Sequence, residues 1–304
     1  MKLPAVALLL AAAIVQLPAQ TRFRSEIELV GVGATVVDRK GNLITDLTKD
    51  EFELYEDGRL QAVRYFARGT ESGEIAPLHV GVLFDTSGSM EQDIGMSQSA
   101  AIKFLNALPD AEDMTLVEFD TEVRSARYSQ DDFARLVERI RARKPDGYTA
   151  LYDALGVYLG SADEINGRKI LVLYSDGGDT RSSASWSDTL DLLKASDVTV
   201  YVVGFLQHQT QAGRTAQGSQ LRTIAELTGG QVFFPTTTKD VDAAYDKVLT
   251  ELRAQYTLGY VSTNTKTDGR WRKVEIKLKR PDLKSAKIRS RTGYYAPFRE
   301  PAAR

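Results

Sequence analysis

Residues Val80 to Phe84 are apolar or glycine without a break, and the run stops at Asp85. A segment reading "LHVGVLF" has no polar face to offer water, so as a strand it must be covered on both sides. "KILVLYS" (169–175) repeats the pattern, and "VTVYVVGFL" (198–206) reads as a third such strand. Helical spacing fills the intervals. Ala101, Phe104, Leu105 and Leu108 fall at i, i+3, i+4, i+7. Phe133, Leu136, Val137 and Ile140 mark a second amphipathic helix, with Ser129, Asp131 and Asp132 as capping candidates, and "TALYDALGVYLGSA" continues helically. "SWSDTLDLLKAS" and "SQLRTIAELTGG" follow as helices, and "QVFFP" as a short strand. Val241, Ala244, Tyr245, Val248, Leu249 and Leu252 define the last helix, while "MTLVEFDTEVRSARY" reads as a hairpin turning near Asp120. Such alternation predicts an α/β fold, a doubly wound and mostly parallel sheet with helices on both faces. In sheets of this kind the loops at the carboxyl ends of the strands carry the binding site.

Two stretches do not fit the alternation. Residues 26–66 read as β: "EIELVGVGATVVD" alternates, and "FELYEDGRLQAVRYF" predicts two strands joined at Glu56-Asp57-Gly58. Residues 67–77 read as a polar linker. Beyond Gln255, "YTLGYVS", "RWRKVEIKLKR" and "AKIRSRTGYYAP" are strand-like again. There Lys273, Glu275 and Lys277 alternate with Val274, Ile276 and Leu278, as in a solvated edge strand that guards itself against aggregation. The expected organisation is a signal peptide (1–20), an N-terminal β segment (21–70), an α/β domain (78–252) and a C-terminal β segment (253–298). Because the termini of such a domain tend to emerge close together, residues 22–66 and 255–298 are expected to join as one small β-sandwich-like unit.

Composition narrows the function. The 304 residues exceed one ordinary compact domain. A net charge of −2 with 26% charged residues shows no basic bias toward nucleic acid or an anionic membrane. There is no cysteine, which excludes disulfides, thiolate metal sites and cysteine nucleophiles. With two histidines, His79 and His208, a histidine-rich zinc site is excluded too. "MKLPAVALLLAAAIVQLPAQ" has one lysine, an apolar run and small residues before a cut near Ala19/Gln20, the pattern of a secretory signal peptide. An uncleaved N-terminal anchor is the alternative, although the run is short of the ~20 residues a membrane span needs. No later stretch is long and apolar enough to span a membrane. The expected location is therefore exported: periplasmic, outer-surface or secreted.

The candidate chemistry lies where the apolar strands end. Asp85, Ser87 and Ser89 stand two residues apart after the first strand, Thr149 precedes a helix, and Ser175, Asp176 and Asp179 follow another strand. Hydroxyls and carboxylates are hard oxygen donors, the ligands that Mg²⁺ and similar cations select. Alone, "DTSGS" reads equally as a helix-capping turn. Asp120 is as well explained by its hairpin turn, Asp179 by capping the following helix, and Asp153 as a dipole or outer partner on its own helix. His79 reads as structural, and Trp186 and Trp271 as packing or edge residues. "VGVG" and "GG" lack the following Lys-Ser/Thr of a phosphate loop, and no histidine is placed to activate Ser87 or Ser89.

Taken together these segments carry a resemblance. "DTSGSM" resembles the Asp-x-Ser-x-Ser motif of von Willebrand factor type A domains, "GYTALYDAL" their second loop with its threonine, and "YSDGGD" their third with its aspartate. The likeness spans roughly 78–252, and the flanking β segments resemble those of a bacterial exported subgroup. The resemblance implies a metal-ion-dependent adhesion site. Ser87, Ser89 and Thr149 supply hydroxyl oxygens; Asp85 and Asp176 hold Mg²⁺, or Mn²⁺ or Ca²⁺, directly or through water. An Asp or Glu carboxylate of a protein partner completes the coordination. The implied function is cation-dependent protein binding or adhesion, not catalysis. The alternatives are a metal-dependent hydrolase, which would want a general base or a second metal nearby, and a structural envelope protein with a vestigial site.

Overall fold

The computed structural model describes residues 29–69, 77–108 and 111–298. The expected signal peptide, residues 21–28 of the N-terminal segment and most of the expected linker lie outside the described residues.

The chain opens with four strands, β1 (Leu29–Val37), β2 (Phe52–Glu56), β3 (Arg59–Gln61) and β4 (Val63–Arg68). The α/β region then runs β5 (Leu78–Asp85), α1 (Ile94–Asn106), β6 (Asp113–Phe119), β7 (Val123–Tyr128), α2 (Phe133–Ala142), α3 (Leu151–Asp163), β8 (Arg168–Ser175), α4 (Trp186–Ala195), β9 (Thr199–Gly204), α5 (Gln211–Leu227), β10 (Val232–Phe233) and α6 (Thr238–Ala254). Four more strands close the described chain: β11 (Tyr256–Val261), β12 (Trp271–Leu278), β13 (Lys287–Ser290) and β14 (Gly293–Tyr295).

The central sheet has the order β10-β9-β8-β5-β6-β7. All neighbours are parallel except β7, which returns antiparallel along β6. This is the expected doubly wound sheet. Side chains alternate across β5: Val80, Val82 and Phe84 join α1, α2 and α6 in one core, and Leu83 joins α3, α4 and α5 in the other. A strand between two helical layers has no solvent face, which is why its sequence is apolar throughout. Gly81 has a specific part in this. A Cβ there would stand 2.2 Å from the Tyr158 ring, so glycine lets α3 approach while Tyr158 donates its hydroxyl to the Ile170 carbonyl at 3.1 Å.

The flanking strands interleave. One antiparallel sheet has the order β13-β1-β11-β4, the other β14-β12-β2-β3. Their inward residues, among them Val32, Val36, Phe52, Leu54, Tyr256, Leu258, Val274 and Ile276, form one shared core. The expected β-sandwich-like unit thus draws strands from both ends of the chain. The hairpin turns at Asp57 and Gly58 with φ of 47° and 78°, the left-handed pair that matches the twist of adjoining strands.

Two sequence expectations are corrected here. The segment after the hairpin is two strands, because the chain passes at Ala62 from one layer of the sandwich to the other, and pairing with β2 gives way to pairing with β11. β12 is not an edge strand: it pairs β2 on one side and β14 on the other. Its alternating charges are the solvent face of an interior strand, with Val274 and Ile276 turned into the core.

Candidate metal centre

The strand order places the site. After β5 the chain moves outward to β6 and β7, then returns to lay β8 on the other side of β5. A crevice opens at the carboxyl ends of strands where the winding reverses, and β5 and β8 end there at Asp85 and Ser175.

Backbone bonds tie the surrounding loops to one another. Thr86 donates its N–H to the Phe119 carbonyl at 2.8 Å and accepts from Asp146 at 2.8 Å, while Gly88 donates to the Gly147 carbonyl at 3.1 Å. The loop after β5 is thereby stitched to the end of β6 and to the loop before α3. The Thr149 carbonyl accepts from Thr180 at 2.9 Å and Arg181 at 3.0 Å, and the Thr180 hydroxyl accepts from the Thr149 N–H at 3.0 Å. The loop after β8 is thus joined to the same loop before α3.

Within this frame Asp85 is fully buried. Its Oδ1 accepts from the Ser87 N–H at 2.9 Å and the Ser87 hydroxyl at 2.5 Å. Its Oδ2 accepts from the Ser175 hydroxyl at 2.6 Å. Ser87 Oγ lies 3.1 Å from Ser89 Oγ, and Ser89 is exposed at the rim. Asp176 is buried, with Oδ1 accepting from the Gly178 N–H at 3.1 Å and Oδ2 from the Gln209 side chain at 2.7 Å. Burial, followed by the charge of Asp176, pushes the Asp85 carboxyl up from 3.8 to about 7, while the Ser175 and Ser87 hydrogen bonds pull it down. The two carboxylates therefore feel one another in a dry setting. Thr149 is buried in the adjoining loop, and its hydroxyl has no hydrogen bond among the described residues. Hydrogen bonds join Asp85, Ser87 and Ser89 directly; Asp176 is joined to them through charge, and Thr149 through the backbone of its loop.

The capping alternative for "DTSGS" does not hold. α1 begins at Ile94 with Asp93 as its N-cap, and the Ser87 hydroxyl makes no cap bond to the short 3₁₀ turn that follows it. Asp120 does hold its turn, through Glu122 N–H at 2.9 Å and Arg124 at 2.8 Å, and it also accepts from the Thr86 hydroxyl at 3.3 Å. Asp179 caps a different helix from the expected one: its Oδ2 accepts from Tyr152 N–H at 3.0 Å in the first turn of α3, whereas α4 is capped by Ser185 and Asp188. Asp153 holds the loop after β8 through the N–H groups of Ser183 and Ala184, both at 2.9 Å. His79 is the second residue of β5, at the opposite end from Asp85, where it lies 2.7 Å from Asp113. Trp186 packs on Tyr152 and Trp271 on Tyr295.

One residue beside the site, Gln209, was not singled out from sequence, and Ser175 was named only as a candidate oxygen donor: its bond to Asp85 depends on β5 and β8 being neighbours. Gln209 lies in a loop with no local pattern. Among the described residues no group of three or more His, Cys, Asp or Glu side chains is arranged to hold a metal; the donor set here is two carboxylates and hydroxyls. That set fits a hard cation. Asp85 and Asp176 share a buried space, and among the described residues no Lys or Arg pairs with either. Elsewhere in this domain Asp113, Glu118 and Glu251 are buried with Arg partners.

A doubly wound sheet with hydroxyls and carboxylates gathered at its reversal point defines the class. The chain matches the family model of the von Willebrand factor type A domain over residues 79–247 and belongs to that family. It is 28% identical over 212 residues to the uncharacterized protein YwmC of Bacillus subtilis (strain 168), covering 61% of this chain and 89% of that protein. Among solved structures it is similar to the pilus adhesin SpaC from Lactobacillus rhamnosus GG in its open conformation, with TM-score 0.50, 12% identity, and coverage of 87% of this chain and 48% of that one. It is also similar to the PilB minor pilin from Streptococcus sanguinis, with TM-score 0.49, 14% identity, and coverage of 60% and 63%. The chain spans less than two thirds of either pilus protein, and at 12% identity the likeness to SpaC is one of fold alone. No described helix is long and apolar enough to cross a membrane.

Proposed function

We propose that this is an exported, cation-dependent protein-binding module in which Asp85, Ser87, Ser89, Thr149 and Asp176 hold Mg²⁺ or a similar ion for an acidic group on a partner. The observation that carries the reading is the donor set. A fully buried carboxylate receives only neutral donors, from Ser87 and Ser175, and faces a second buried carboxylate. An ion bound there would offset that repulsion and draw in an anionic ligand atom.

The chain's own residues divide the work. The Ser87 hydroxyl donates a hydrogen bond to Asp85, which turns its lone pairs away from that carboxylate and toward an ion. Ser89, at the exposed rim, and Thr149 add further neutral oxygens. Two carboxylates and three hydroxyls leave a divalent ion less neutralised than four carboxylates would, so a partner's Asp or Glu is favoured over a neutral group. Neither histidine hydrogen-bonds any of the five residues; His79 bonds Asp113 and His208 bonds Asp93. In vitro, Mg²⁺ or Mn²⁺ titrated into chelator-stripped protein is expected to bind wild type and not Asp85→Ala. A synthetic Asp- or Glu-bearing peptide is expected to be retained only on the loaded protein. Retention that survives chelation would overturn the reading.

A further inference from the structure

A fourth segment reaches the same crevice. Phe205 follows β9 and donates its N–H to the Ser175 carbonyl at 3.0 Å. From there the chain brings Gln209 Nε2 to within 2.7 Å of Asp176 Oδ2. One residue earlier, His208 Nδ1 lies 3.0 Å from Oδ2 of Asp93, the buried N-cap of α1. The segment is braced from behind: Arg214 of α5 donates to the carbonyls of Gln209 at 2.9 Å and Gln207 at 3.1 Å. Thr210 caps the same helix, accepting from Gly213 N–H at 3.1 Å. Gln209 is therefore a fixed donor, anchored to two helices that flank the crevice.

We infer that Gln209 is a positioning residue for Asp176, presetting that carboxylate for a divalent cation. The inference rests on the metal-site reading above. Asp176 Oδ1 is held by Gly178 N–H and Oδ2 by Gln209. Each oxygen keeps a lone pair while the carboxylate loses its freedom to swing. Partners of this outer kind orient metal ligands, and their loss weakens metal affinity. The neutrality of the amide matters as well. A lysine or arginine here would place a positive charge on Asp176 and compete with the ion, whereas an amide orients the carboxylate and leaves its charge in place.

The test is calorimetric titration of Mg²⁺ and Mn²⁺ into the full chain, comparing wild type with Gln209→Met, Gln209→Ala and Gln209→Lys. Met keeps the length and removes the donor, so it is expected to weaken binding about tenfold or more. Ala is expected to do the same, and Lys to weaken binding further although it retains a donor. The chelated Gln209→Lys protein is expected to melt no lower than wild type although it binds the ion least, which a residue serving only the fold would not allow. Amide exchange over 205–210 is expected to slow on loading in wild type and not in Gln209→Met. Wild-type binding with unchanged variants overturns this inference alone. Absence of ion binding by wild type overturns the reading of the site, and this inference with it.

Discussion

Asp85 sets the chemistry of the site. Its pKa is raised by burial and by Asp176 to about 7, so the folded protein holds a proton there that the unfolded chain has released. The sign follows from linkage. A raised acid contributes stability in full below its unfolded value, and that contribution is lost as pH rises through the folded value. Chelated wild type is therefore expected to lose stability between pH 3.8 and about 7, by on the order of 4 kcal/mol. Urea unfolding across that window checks this, with a flatter profile expected for Asp85→Asn; parallel profiles would contradict it. Because the ion displaces this proton, Mg²⁺ affinity is expected to climb over the same range. That Asp85, Ser87, Ser89 and Asp176 would gather at the strand ends was legible in the sequence, because each lies in a short motif just after an apolar strand. Ser175 as a donor to Asp85, and Gln209, were not, since each depends on which strands become neighbours.

The loop before α3 is only as well placed as the helix that leads into it. Glu118, fully buried on β6, is held by Arg139 Nε of α2 at 2.5 Å and by Arg143 Nη2 at 2.9 Å, just past the end of that helix. Both guanidinium groups are about one-third exposed and are able to rehydrate if Glu118 is lost; Glu118 has no such escape if they are lost. The double variant Arg139→Ala/Arg143→Ala is thus expected to cost about 3–5 kcal/mol, and Glu118→Gln clearly less. Equal costs in denaturant unfolding would contradict this asymmetry. Most elements were readable because period and layer agree: the uninterrupted apolar runs of β5 and β8 and the helical spacing of α1 and α6 each admit one reading. The misread elements were those in which local pattern and tertiary placement part. β12 alternates like an edge strand because one face of its sheet meets water, although both its edges are paired. The break at Ala62 leaves no mark in "GRLQAVRYF" because it is made by the closure of two layers.

The sandwich binds the ends of the chain to the α/β domain. β1 lies between β11 and β13, and β2 pairs with β12, so neither flanking segment has a complete sheet alone. Arg289 of β13 bonds Glu251 of α6 at 2.5 Å and Gln231 at 2.9 Å, fastening the sandwich to the domain that carries the crevice. A chain ending at Ala254 leaves β1 and β4 without β11. Amides of Val30–Val36 are then expected to exchange like those of an unfolded chain; retained protection would show that the N-terminal segment holds its own sheet. For the whole molecule the decisive quantity is cation-gated recognition. Calorimetry of Mg²⁺ into chelator-stripped protein near neutral pH, followed by an acidic peptide, should give one ion site per chain in wild type and none in Asp85→Ala, with peptide heat only after loading. No ion binding by wild type, or equal peptide binding with and without the ion, would contradict the assignment.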